Sequence, residues 1–171
     1  VYVNIDGEDA VLAWADNVGA NTELLIEMPL GTVEDADGVD RIFTLVGMDN
    51  FQSGMRSVNL LDGKIPTQQE ATPEVMMDEG SMIFLGWEVG EVHDVMVNGA
   101  QQEVEIVGTT RGDFVRTMYF LRGDLSMITG VNATSVYLDL PSGVEVDTEL
   151  GEVSVGIVER QSLIDGIETL I

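Results

Sequence analysis

The sequence predicts an α+β domain, and three observations predict it. Segments of period-two alternation, such as Val92–Val97 and Ser135–Leu140, are interleaved along the whole chain with segments of helical spacing, such as Ala10–Val18 and Glu79–Leu85. Glycine closes three of the helical segments, at Gly19, Gly86 and Gly130. Asn98-Gly99 sits between two alternating runs and marks a tight hairpin in the middle of the chain, where strands dominate.

Taken in order, Val1 to Ile5 reads as a strand. The acidic stretch Asp6-Gly7-Glu8-Asp9 then suits a helix start, because carboxylates complement the N-terminal end of a helix dipole. Val11, Leu12, Trp14, Ala15 and Val18 give the following helix one apolar face. Thr22–Leu30 reads as a strand broken at Pro29, Glu34–Gly38 as a polar turn, and Arg41–Met48 as the return strand of a long acidic hairpin. Ser57–Leu61 leads into a turn at Asp62–Pro66, and Pro73–Asp78 is a short apolar strand. Glu79–Leu85 predicts a two-turn helix; Val92–Val97 and Glu103–Val107 are the arms of the Asn98-Gly99 hairpin. Leu121–Ile128 predicts a helix, Ser135–Leu140 a strand ended by Pro141-Ser142-Gly143, Val153–Val158 another strand, and Gln161–Ile171 an amphipathic helix.

Composition narrows the function. The 171 residues are 44% apolar but only 6% aromatic, so aliphatic side chains and the nine methionines must fill the core. Thirty-one acidic residues face seven basic ones, of which Lys64 is the only lysine, and the formal net charge is −24. Nucleic acid and anionic lipid both need a cationic face, so neither is an expected partner. The acidity has two readings: solvation of a surface that lives in high salt, or an acidic docking face for a basic partner or for cations. There is no cysteine, no apolar stretch long enough to span a membrane, and no signal-peptide pattern. Val1 is not an initiator methionine, and the chain reads as a piece of a longer one.

No catalytic constellation is legible. A histidine-dependent hydrolase would have to use His93, the only histidine, which reads as a solvent-facing strand residue. Phe51–Met55 lacks the flanking glycines of a nucleophile elbow, and one histidine with no cysteine gives no zinc set. Val33–Gly38 puts a glycine where a calcium loop would, but Val33 occupies the position of the first acidic ligand. Gly63-Lys64 continues into Ile65-Pro66 rather than a phosphate loop, and the carboxylates are so many that chance pairs carry no information. No catalytic, metal-binding or cofactor-binding residue is therefore assigned.

The middle segment carries a more specific order: Val46-Gly47-Met48-Asp49, then Leu60-Leu61-Asp62-Gly63-Lys64-Ile65-Pro66, then Glu74–Glu79, then Leu85-Gly86-Trp87-Glu88-Val89-Gly90, then Val104–Thr109. This order resembles the extracytoplasmic domain of MacB/FtsX-like ABC transporter permeases, over roughly Thr22 to Leu170. The matching residues Gly47, Gly63, Leu85, Gly86, Gly90, Val107 and Gly108 are structural in kind: turn glycines, a helix stop and buried strand positions. Lys64 stands where the family more often has arginine, and Gly80-Ser81-Met82 where it usually has a small residue such as alanine.

The resemblance implies a two-lobed domain on the extracytoplasmic face of a membrane: a membrane-proximal α/β lobe from residues 1–47 and 108–171, and a strand-rich inserted lobe from residues 48–107. It implies transmembrane helices of the same permease as partners, an indirect cytoplasmic ATP-binding subunit, an extracytoplasmic protein partner, and coupling of ATP-driven motion to export, extraction or partner regulation without catalysis. Within Phe114–Phe120, the residues Phe114, Arg116, Met118, Tyr119 and Phe120 are candidates for contact with a partner or substrate, with the core as the competing place for the apolar ones. A stand-alone cell-surface α+β binding module is the alternative, and a carboxylate- or metal-dependent hydrolase a more distant one. The charge balance predicts that the domain gains stability as salt screens its carboxylates; a melting temperature that is flat or falls between low and molar salt would contradict this.

Overall fold

The structure is a computed structural model, and it describes residues 1, 7–112, 115–146, 148–154 and 156–157. Most of the predicted first strand, Phe114, Val155 and Val158 of the predicted strand Val153–Val158, and the predicted C-terminal helix lie outside the described residues. The observed class is α+β. Its elements are α1 (Glu8–Val18), β1 (Asn21–Glu34), β2 (Asp40–Met48), β3 (Leu60–Gly63), β4 (Glu74–Asp78), α2 (Glu79–Leu85), β5 (Val92–Val97), β6 (Ala100–Thr110), β7 (Thr117–Leu121), α3 (Arg122–Thr129), β8 (Ser135–Asp139) and α4 (Thr148–Val153).

All eight strands form one mixed sheet, and the sheet closes on itself. The hydrogen-bonded order runs β2-β7-β4-β6-β5-β1, and β1 pairs back onto β2, so these strands form a barrel; β8 is added beside β1 and β3 beside β6. The pairs β2–β7 and β4–β6 are parallel and the others antiparallel. The boundaries expected between two lobes, after Gly47 and after Val107, fall inside this sheet. β7 lies between β2 and β4 and bonds to both, so hydrogen bonding is continuous across the expected division.

Strand alternation fills the barrel. Ile26, Phe43, Leu45, Val75, Met77, Val95, Val97, Val104, Ile106, Met118 and Phe120 all point inward and form the main core, with Met82 from α2 and Leu125 from α3 packed into it. A fully buried side chain of this size contributes about 1.5–3 kcal/mol. The opposite parity of the same strands, Leu25, Val46, Met48, Met76 and Tyr119, packs outside the barrel against Phe51. A third cluster joins the chain's two ends: Val11, Trp14 and Ala15 of α1 meet Val136 of β8 and Leu150 of α4. The N-terminal amine of Val1 donates to the Val136 carbonyl at 2.8 Å.

Several expectations need correction. Pro29 does not end β1. The register between β1 and β2 shifts by a residue between Met28 and Gly31, and this bulge accommodates the proline that has no N–H to give. Gly108 does not end β6, which continues to Thr110. Val153, expected to open a strand, is the last residue of the helix α4, and Thr117–Leu121 is a strand that the pattern did not announce. His93 shares the inward parity of Val95 and Val97 rather than facing solvent. It stacks on Trp87 with ring centroids 3.8 Å apart, and its Nε2 lies 2.8 Å from Glu91.

Two glycines of the family pattern are fixed by close backbone approach. At Gly63 φ is +77°, and a Cβ there would lie 2.1 Å from the Val107 carbonyl oxygen; at Gly47 one would lie 3.1 Å from the Cα of Arg122 and 3.3 Å from Leu125. The first permits β3 and the strap after it to lie on β6, and the second lets α3 seat on β2. Leu85 packs at the edge of the barrel core, Gly86 ends α2 in the left-handed region, Gly90 turns the chain into β5, and Val107 is buried at the bulge of β6. Beside Gly63, Lys64 Nζ reaches Glu74 at 2.7 Å, and the N–H and hydroxyl of Thr67 donate to the same carboxylate at 2.7 and 2.8 Å. Burial works against the charge of Glu74, but these donors outweigh it and hold the carboxyl below its ordinary value.

Two predictions follow from these contacts. Replacing Gly63 with alanine should destabilise the domain by about 2 kcal/mol or more in denaturant melts, because the new Cβ meets backbone in a left-handed conformation. Asp78 caps α2: it accepts from the Ser81 N–H at 2.9 Å and, across the sheet, from the Thr117 N–H at 3.0 Å. Asp78→Ala should therefore lower stability by about 2 kcal/mol in the same assay, and Asp78→Asn, which keeps one acceptor oxygen, by less.

Candidate functional site

The barrel has two unlike ends. α3 follows β7 and closes one, on the side of Gly47 and the start of β1. α2 follows β4 and borders the other, where β2 and β7 begin. At this second end no other described element covers the outer surface. An open groove of about 610 Å³ runs there between β2, α2 and the segment entering β7.

Three apolar side chains line it from three separate parts of the chain: Ile42 is 66% exposed, Phe84 47% and Val115 59%. The strand register extends the patch sideways. Ile42 of β2 stands opposite Thr32 of β1, and Thr32 opposite the exposed Met96 of β5, so all three share the outer face. Cross-strand neighbours of this kind lie about 5 Å apart.

Two arginines frame the groove. The guanidinium of Arg41 lies 5.4 Å from the centroid of the Phe84 ring and that of Arg116 lies 5.0 Å from it. Arg41 is held in place by Asp35, whose carboxylate takes its Nε–H at 2.6 Å and the N–H groups of Asp37 and Val39 at 2.9 Å each. The Val39 N–H and then Arg41 keep the Asp35 carboxyl below its ordinary value, so it stays ionised as the organiser of this turn. That is the role found for the acidic hairpin tip. Asp78, the carboxylate in the groove wall, is buried and turned to the cap of α2 and to Thr117. Arg116 has no ion pair among the described residues.

The structure separates the candidate contact residues. Met118 and Phe120 are fully buried inside the barrel and Tyr119 is buried on its outer side, so they are core and not partner surface. Their neighbour Arg116 is exposed and lines the groove, while Phe114 lies outside the described residues. Val115 falls within the segment singled out from the sequence, but sequence reasoning missed Ile42 and Phe84, because residues dozens of positions apart share no spacing. Among the described residues no group of three or more His, Asp or Glu side chains is placed to hold a metal ion, and no helix is long and apolar enough to cross a membrane.

No family profile matches the chain, and no curated protein matches it. Solved structures do. The extracellular domain of the noncanonic ABC-type transporter YknZ from Gram-positive bacteria superposes with a TM-score of 0.57 at 17% identity, over 83% of this chain and 74% of that one. The periplasmic region of MacB from Actinobacillus actinomycetemcomitans superposes with a TM-score of 0.53 at 14% identity, over 93% of this chain and 73% of that one. The chain therefore has the fold of the extracytoplasmic domains of MacB-like ABC transporters, as the order of its glycines and strands from Val46 to Thr109 predicts.

Proposed function

We propose that this is the extracytoplasmic domain of an ABC transporter permease. It works by contact: motion driven by ATP hydrolysis in a separate cytoplasmic subunit is passed through the domain to export, to extraction of a substrate, or to a protein partner. The observation that carries this reading is the likeness to two transporter domains over most of the chain. A second feature supports it. Val1, α1, β8 and α4 all enter one cluster beside the start of β1, so segments attached at either side would approach the barrel from the same end. The groove of Ile42, Phe84 and Arg116 lies at the other end, and about eight strand residues, roughly 25 Å, separate the two along β1. In this reading the domain has no catalysis of its own, and its outer end is where a partner would be met.

The full-length reading frame should contain an apolar stretch of about 20 residues before Val1 and another after Ile171. The 171 residues hold no cysteine, so an exposed replacement, Met127→Cys, gives a topological probe in a full-length protein whose cysteines elsewhere are replaced by serine. Intact cells should label it with a membrane-impermeant maleimide. Labelling only after lysis, or a frame without the two apolar stretches, would refute the proposal.

A further inference from the structure

We infer that the groove at the α2 end is a docking site for a segment of another protein that presents apolar side chains together with a carboxylate. The inference rests on the reading of the domain as one that acts by contact, and adds the place and the chemistry of that contact.

Cations are scarce on this surface. The sequence holds 31 acidic residues, so a basic side chain on this surface has abundant partners. Arg41, Arg56, Lys64 and Arg122 each have one, at 2.6 to 3.2 Å. Arg111 and Arg116 have none among the described residues, and of these two it is Arg116 that stands in the wall of the groove, with its guanidinium over Phe84. An unpaired arginine beside exposed Ile42, Phe84 and Val115 offers a partner two things at once. The apolar side chains offer area to bury, and the planar fork offers two parallel hydrogen bonds to a carboxylate.

The groove is also built to keep its shape. Phe84 sits on a helix capped by Asp78, which also ties that helix to the start of β7. Arg41 is anchored by Asp35. An exposed aromatic ring set under two guanidinium groups on rigid elements has the properties of an interface anchor, with little ordering left to do on binding.

Charge selects among occupants. A second copy of this chain would bring another net charge of −24 against the first, and an anionic bilayer meets the same repulsion. A partner segment that approaches through its own local carboxylate meets Arg116, the cation in the groove wall that has no ion pair among the described residues. The partner's remaining surface must then be neutral or basic, and the acidic flanks of this domain would steer it in.

The test is a random peptide library displayed on phage, selected against the isolated domain in moderate salt, with Kd values of enriched peptides measured by fluorescence anisotropy. Enriched sequences should combine aliphatic or aromatic residues with Asp or Glu. Arg116→Glu and Phe84→Ala should each weaken binding by roughly tenfold or more. Arg111→Glu, the same charge change at an exposed arginine elsewhere, should leave it within about twofold. No enrichment, peptides lacking acidic residues, or equal loss in Arg111→Glu would overturn the inference, as would concentration-dependent dimers that Phe84→Ala dissolves. If a variant fails to fold by circular dichroism, amide shifts of the unmodified domain decide: they must move around Ile42, Phe84 and Val115 and not elsewhere. Any of these failures leaves the topological labelling of Met127→Cys unaffected, so the site and the permease reading fail separately.

Discussion

The architecture depends on a single strand keeping three pairings at once. β1 runs beside β2 along almost its whole length, while its other edge serves β8 at the start and β5 at the end. The bulge at Pro29 and Leu30 bends β1 between the two partners and raises its local twist. Gly31 follows at once, and a Cβ there would lie 2.5 Å from the Leu45 side chain, so the bend also brings β1 hard against the barrel core. Closure removes the open edges that a mixed sheet of this size would otherwise carry.

Closure explains which surfaces remain. Inside, the alternating aliphatic and methionine side chains fill the barrel with few aromatic rings, as the composition requires. Outside, the half of the barrel near Val46, Met76 and Tyr119 is covered by the segment carrying Phe51, and α1, β8 and α4 pack beside the start of β1. What is left uncovered is the outer face at the far end, where Ile42, Thr32 and Met96 stand abreast. The groove is therefore a by-product of where the covering elements stop, shaped further by α2.

Local signals were legible and convergent ones were not. The bounds of α2 and β5 could be read directly, because Asp78, Gly86 and Asn98-Gly99 are caps and turns that act within a few residues. The positions of Gly63, Gly86, Gly90 and Gly108 were likewise visible as an ordered pattern. β7 was not, because Thr117–Leu121 is buried on both faces, and such a strand shows no alternation. The same burial explains why Met118, Tyr119 and Phe120 were candidates for contact: an apolar run looks alike whether it faces a partner or a core. The bend at Pro29 was read as an end, because a proline in a strand signals a break unless a bulge takes it up. Arg116 was visible as a residue but not as a site, since the ring it lies over belongs to a helix thirty positions earlier.

The closed sheet has a mechanical meaning. A barrel whose strands are all bonded to two neighbours resists shear far better than an open sheet, which can splay or slide at its edges. Its ends cannot move independently. A small tilt imposed at the cluster of α1, β8 and α4 would reach the groove as a sideways sweep of the whole far end, enlarged by the length between them. The stiffness between the two ends rests on the one bent strand that keeps the ring shut.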